Sequence, residues 1–255
     1  MGRKSGIDWT DATWNPWYGC TKVSTGCKHC YAQRDMLRYG KNFDVVTRAQ
    51  PGTLYSPDKW TDEDLLIFVC SWSDFFHEAA DTWRPEAWAI IKRNPQHTFQ
   101  ILTKRTERIL EHLPPDWGDG YPNVWLGASA ADQAEADARM DELLAVPAAI
   151  HWVSVEPLVG PLMLANWLYK GGPRPGLRWV VVGGESGTGT AWRDMRHDWV
   201  DVLFEECQTF EIAFFFKQWA GQKKKDVENN RYKGKVWHEM PVVAKPDEKK
   251  QEALF

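Results

Sequence analysis

A chain of 255 residues, 43% of them hydrophobic, is long enough to bury a large core, either as one α/β barrel-like domain or as two smaller domains. Its formal net charge of −4 excludes a whole-molecule field that attracts nucleic acid, while leaving local basic patches open. No apolar run reaches the length of a membrane span, and the N-terminal MGRKSGIDWTDATW has no apolar signal core, so a soluble cytoplasmic protein with no membrane association is expected.

The first predicted element is a polar-aromatic strand, Trp14 to Tyr18, entering the sheet despite Pro16. Directly after it, Cys20, Cys27 and Cys30 fall within eleven residues in WNPWYGCTKVSTGCKHCYA. Two residues separate the last pair, a spacing that lets neighbouring thiolates bind one metal centre, and Gly19 and Gly26 allow the loop to fold tightly around it. No fourth cysteine or histidine pair lies nearby. A structural zinc site is usually closed by four ligands, whereas a [4Fe–4S] cluster held by three thiolates keeps one iron open, so the loop reads as an iron–sulfur site. Zinc, with His29 or an acidic residue as fourth ligand, is the alternative. Five cysteines, an odd count with three clustered, fit a reducing compartment better than a disulfide framework. Cys70 and Cys207 read as buried thiols.

Further strands are predicted at Leu66–Ser71, His97–Thr103, Asn123–Ser129, Ile150–Val155, Arg178–Gly183 and Glu211–Phe216, each a short apolar run bounded by polar, Gly or Pro residues. Helix-forming stretches at Pro85–Arg93, Ala131–Leu144 and His197–Cys207 alternate with them. The pattern predicts an α/β fold, a partial or open parallel (β/α) barrel of about six or seven strands over residues 1–220. Polar residues close nearly every strand: Ser73 and Asp74, Thr103 with Lys104 and Arg105, Ser129, Glu156, Glu185 with Ser186, and Lys217 with Gln218. Carboxyl ends of parallel strands form the ligand face, so these groups are expected at one mouth. Asp132, Ser73 and Asp74 are also candidate helix caps. The sixteen tryptophans are read as core and rim packing rather than base-stacking platforms. Residues 221–255 change to charge runs, including KKK, and are expected to form a charged peripheral extension with a disordered end.

The cysteine loop followed by Tyr31 and Ala32 resembles the cluster-binding segment of radical S-adenosylmethionine (SAM) enzymes, especially those related to spore photoproduct lyase. Those families place three residues between the first two cysteines, where this chain has six. Nearly the whole chain resembles an uncharacterised phage and prophage three-Cys-motif family, itself radical-SAM-like. The resemblance rests on WNPWYGCTKVSTGCKHCYA, FVCSWSDFFH, FQILTKR, NVWLGASAADQ, VSVEPLVGPL, VVVGGESG and FFFKQW.

It implies a [4Fe–4S] cluster on Cys20, Cys27 and Cys30, with SAM chelated at the open iron and cleaved reductively to a 5′-deoxyadenosyl radical that modifies a nucleic acid, nucleotide or peptide. A reductant such as a flavodoxin or ferredoxin, and a phage-encoded partner protein, belong to the same implication. In that frame Lys104 resembles a carboxylate-binding lysine, Ser73 and Asp74 are candidates for the SAM amino group, and Ser129 and Glu156 for ribose or substrate. Gly183, Gly184 and Glu185 resemble a GGE segment, though on a later strand; the glycine turn is expected to cradle adenine, a phosphate or the methionyl group. Lys217 is expected to pair with Glu185, in the site or as a structural ion pair, while Tyr31, Trp72 and Trp219 wall the cavity. Two other classes stand beside this reading: a non-catalytic iron–sulfur or zinc protein that binds nucleic acid, and a degenerate barrel that keeps the metal and has lost SAM.

Overall fold

In the computed structural model, which describes residues 3–61, 64–168, 176–187, 192–222 and 229–242, the βα alternation folds into one seven-stranded sheet. Its strands are β1 (Ala12–Trp14), β2 (Leu66–Val69), β3 (Thr98–Thr103), β4 (Val124–Ser129), β5 (Ile150–Val155), β6 (Leu177–Gly183) and β7 (Ala213–Gln218). Every neighbouring pair is parallel, and spatial order equals chain order. Each crossover therefore advances the sheet the same way, and right-handed connections of that kind place their helices on one face. The sheet curls into a half-barrel. Among the described residues four helices of eight residues or more join it: α1 (Tyr31–Arg38), α2 (Arg84–Arg93), α3 (Gln133–Leu144) and α4 (His197–Thr209).

The first strand differs from expectation. It runs over Ala12–Trp14 and stops before Pro16, whose missing N–H cannot join a ladder, and Trp17–Tyr18 instead pairs antiparallel with Thr47–Arg48. At the end of β2, Cys70 adopts φ 63°, a left-handed backbone that terminates the strand short of Ser71.

The period-two pattern of the strands sorts their side chains onto two faces. Ile67, Val69, Phe99, Ile101, Leu126 and Val153 belong to the core beneath the helices. Phe68, Trp125, Trp152, Trp179 and Phe215 point inward and pack with Trp9. Ring centroids there lie 5.3 Å apart for Trp9–Trp152 and 5.1 Å for Trp152–Trp179, so the tryptophans pack as core and plug the lower half-barrel. Gly127 makes this possible, because a Cβ at that position would lie 2.4 Å from the Trp152 ring. What stays open is the carboxyl end of the strands.

Beyond β7, residues 229–242 cover the exposed edge of the sheet. Phe216 N–H donates to the Trp237 carbonyl at 2.8 Å, and Tyr232 is buried against the core. The expected KKK run (223–225) and the chain end lie outside the described residues. All five cysteines are free, with Cys70 and Cys207 buried. No helix among the described residues is long and apolar enough to cross a membrane.

Candidate functional site

A cavity of about 450 Å³ opens at the carboxyl ends of the strands. Cys20, Cys27 and Cys30 line it together with Ser73, Asp74, Lys104, Ser129, Glu156 and Lys217, so the structure brings these predicted residues to one mouth. Gly183, Gly184 and Glu185 are not part of its wall.

The cysteine loop is anchored at three points. Gly19 has φ +92°, and a Cβ there would meet the Val45 carbonyl oxygen at 2.4 Å, so only glycine passes this turn. Thr25–Cys27 forms a single 3₁₀ turn docked on the start of α3. There the buried Glu135 carboxylate accepts from Thr25 Oγ1 at 2.8 Å, from Gly26 N–H at 3.3 Å, from Ala131 N–H at 3.1 Å and from Arg139 Nη1 at 2.6 Å. Cys30 occupies the N-cap position of α1 with extended backbone and no side-chain capping bond, which leaves its thiol to the cavity.

Two of the thiols sit in opposite electrostatic surroundings. Burial, then the Asp74 charge, push Cys20 up to about 12 against the pull of Arg105. For Cys27, burial pushes up, but the charge of Lys104 and hydrogen bonds around Ser24 outweigh it and leave the thiol below its ordinary value. Among the described residues no three His, Cys, Asp or Glu side chains are drawn together as a metal site, so the thiols share a cavity without converging. The donor chemistry nevertheless fits: three half-buried free thiols on one loop, the soft set that suits an iron–sulfur cluster with one open position.

Asp74 is held on every side. Its carboxylate accepts from Thr103 Oγ1 at 2.7 Å, Phe76 N–H at 2.9 Å and Lys104 N–H at 3.0 Å, and it pairs with Arg105 at 3.2 Å. Ser73 Oγ donates to the Gly19 carbonyl. These two residues brace the loop with the groups that the sequence suggested for a ligand amine. Ser129 contributes its carbonyl to Arg139, at 2.7 Å.

The expected Lys217–Glu185 pair is not formed. Lys217 Nζ lies 2.9 Å from Glu156 Oε1, while Glu185 is buried and bound to Arg193 at 2.6 Å. Burial pushes the Glu185 carboxyl up, and the Arg193 bonds overcome this and leave it lowered. The glycines explain the exchange. A Cβ on Gly183 would sit 2.4 Å from Glu156 Oε1, and one on Gly184 would sit 2.1 Å from the Ala220 nitrogen, so protein occupies the space in which a ligand cradle was expected. Tyr31 and Trp72 wall the cavity as anticipated. Trp219 instead packs on His197 and Phe216, with centroids 4.0 and 5.0 Å away.

Arg105, expected at the mouth as part of the Thr103–Lys104–Arg105 strand end, does line the cavity, while two residues that position the site were not singled out from sequence: Glu135 and Arg193. For Glu135 a signal existed, since Asp132 and Glu135 have capping-box spacing, and Asp132 Oδ1 does accept from Glu135 N–H at 3.0 Å. Arg193 carries no such mark, because it meets Glu185 from an irregular segment. Cations outnumber carboxylates at the cavity, Lys4, Lys22, Lys104, Arg105 and Lys217 against Asp35, Asp74 and Glu156. Arg105 and Lys217 are matched by Asp74 and Glu156, whereas Lys4, Lys22 and Lys104 have no carboxylate partner among the described residues.

The chain belongs to the family described as protein of unknown function (DUF5131), the match covering residues 4–241. Among solved structures, a spore photoproduct lyase complexed with dinucleoside spore photoproduct is similar at a TM-score of 0.45 and 10% sequence identity, over 77% of this chain. The chain spans 60% of the length of that protein. No curated protein matches it.

Proposed function

We propose that this family member is a radical SAM-like enzyme whose cavity takes SAM and a phosphate-bearing substrate, a nucleic acid or a nucleotide. The observation that carries the reading is the meeting of three free thiols from one loop with the polar carboxyl ends of a parallel half-barrel in a single cavity. Cys20, Cys27 and Cys30 would hold the [4Fe–4S] cluster. When bound, the cluster and SAM supply a 5′-deoxyadenosyl radical, given an electron from a flavodoxin- or ferredoxin-like donor.

The chain's own residues supply the rest. Lys104, on the cavity wall at the end of β3, presents a point charge suited to the SAM carboxylate. Glu156 and Lys217, paired at 2.9 Å, present an acceptor and a donor to ribose or substrate hydroxyls, with Ser154 Oγ donating to Glu156 Oε2 at 3.4 Å. Tyr31 and Trp72 exclude water beside the thiols, Tyr31 being fixed by its hydroxyl donating to the Ser71 carbonyl at 2.8 Å. Lys4 and Lys22, exposed and without carboxylate partners among the described residues, raise the local positive potential at the rim of a chain whose net charge is −4, which favours a phosphate-bearing substrate over a neutral peptide.

The test is anaerobic reconstitution with iron and sulfide, then reduction in the presence of SAM. Release of 5′-deoxyadenosine supports the proposal. A reconstituted cluster that neither binds SAM by calorimetry nor releases 5′-deoxyadenosine on reduction removes the enzymatic reading and leaves a metal-binding protein.

A further inference from the structure

We infer that Arg105 is a positioning residue that fixes Cys20 and raises the reduction potential of the centre Cys20 would help to hold; the inference rests on the cluster reading above. Arg105 is 4% exposed, directly after Lys104 at the end of β3. Its Nη1 donates to Cys20 Sγ at 3.7 Å and also lies 3.2 Å from Asp74 Oδ2. Its Nη2 donates to the Thr21 carbonyl at 3.2 Å and to Thr21 Oγ1 at 2.7 Å. One guanidinium thus ties the sheet to the first cysteine and to the residue after it, and a fork of this kind suits Arg and not Lys.

The anchor is itself rigid. Asp74 is locked by Thr103, Phe76 and Lys104, and Thr21 Oγ1 also meets His77 Nε2 at 3.1 Å. Glu78 completes the surroundings, its Oε2 lying 3.7 Å from Arg105 Nε at an exposed position. A hydrogen bond to a ligating sulfur and a nearby fixed positive charge both favour the more negative, reduced state of a cluster. No other described residue is recorded donating a hydrogen bond to Cys20 Sγ.

The experiment is an anaerobic redox titration, monitored by electron paramagnetic resonance, of the reconstituted wild type, Arg105→Gln, Arg105→Lys and Glu78→Gln, with iron and sulfide measured for each. Arg105→Gln is expected to lower the reduced-to-oxidised ratio at fixed potential about tenfold, equal to about 59 mV for one electron. Arg105→Lys, which keeps the charge, is expected to recover at least half of that shift. Glu78→Gln removes an opposing charge at the surface and is expected to raise the ratio about twofold. Should Arg105→Gln hold no cluster, Glu78→Gln decides: a raised ratio supports the inference and an unmoved one overturns it. A cluster in Arg105→Gln with the wild-type potential also overturns it. If the wild type takes up no iron and sulfide, the cluster reading fails instead, and this inference falls with it.

Discussion

Replacing Glu135 by Gln would release the clamp on the cysteine loop at almost constant volume. The carboxylate holds Thr25 and Gly26 through one oxygen, and Ala131 N–H and Arg139 through the other. In the amide, whichever end carries the NH₂ must face donors, and the buried Arg139 loses its counter-charge. Burial pushes the Glu135 carboxyl up, but Thr25, Arg139 and the Gly26 N–H together bring it from an ordinary 4.5 to about 2. A depression of that size corresponds to about 3 kcal/mol of stability at pH 7. Because the folded-state value is the lower one, this stability is fully present above pH 4.5 and is lost as the pH falls towards 2. Chemical denaturation of wild type and Glu135→Gln at pH 7 and pH 3 measures it. The variant is expected to be about 3 kcal/mol less stable at pH 7, and the gap to narrow by about 2 kcal/mol at pH 3. A gap below about 0.5 kcal/mol at pH 7, or one equally wide at both pH values, refutes the reasoning.

Cys20→Ala, Cys27→Ala and Cys30→Ala should each abolish the brown chromophore of reconstituted protein while circular dichroism is retained; a variant that keeps full iron and sulfide removes that cysteine from the ligand set. Lys104→Ala should leave cluster content unchanged and weaken SAM about tenfold by calorimetry, about 1.4 kcal/mol, and unchanged affinity dismisses its role at the carboxylate. Gly127→Ala forces a Cβ to within 2.4 Å of the Trp152 ring and should cost about 3 kcal/mol of unfolding free energy, with wild-type stability showing that the tryptophan plug can move.

Much of the fold was legible because buried parallel strands are short apolar runs closed by polar residues, as in RWVVVG and NVWLGAS. The first strand was displaced because aromatic content outweighed Pro16, which cannot donate to a ladder. At the mouth, residue type and strand position were enough to gather Lys104, Ser129, Glu156 and Lys217 with the cysteines. Partner choice was not legible. Whether Lys217 reaches Glu156 or Glu185 depends on Gly183 lacking a Cβ and on Arg193 arriving from an irregular segment, both properties of the folded backbone. The same holds for Arg105, whose link to Cys20 spans 85 residues of chain.

The most direct test of the central claim is the metal content and spectrum of the anaerobically prepared protein, recorded with and without SAM. The account predicts iron and sulfide in the [4Fe–4S] ratio, bound through Cys20, Cys27 and Cys30, and a reduced-state electron paramagnetic resonance signal that changes when SAM is added. Stoichiometric tetrahedral zinc with no reconstitutable cluster would contradict it.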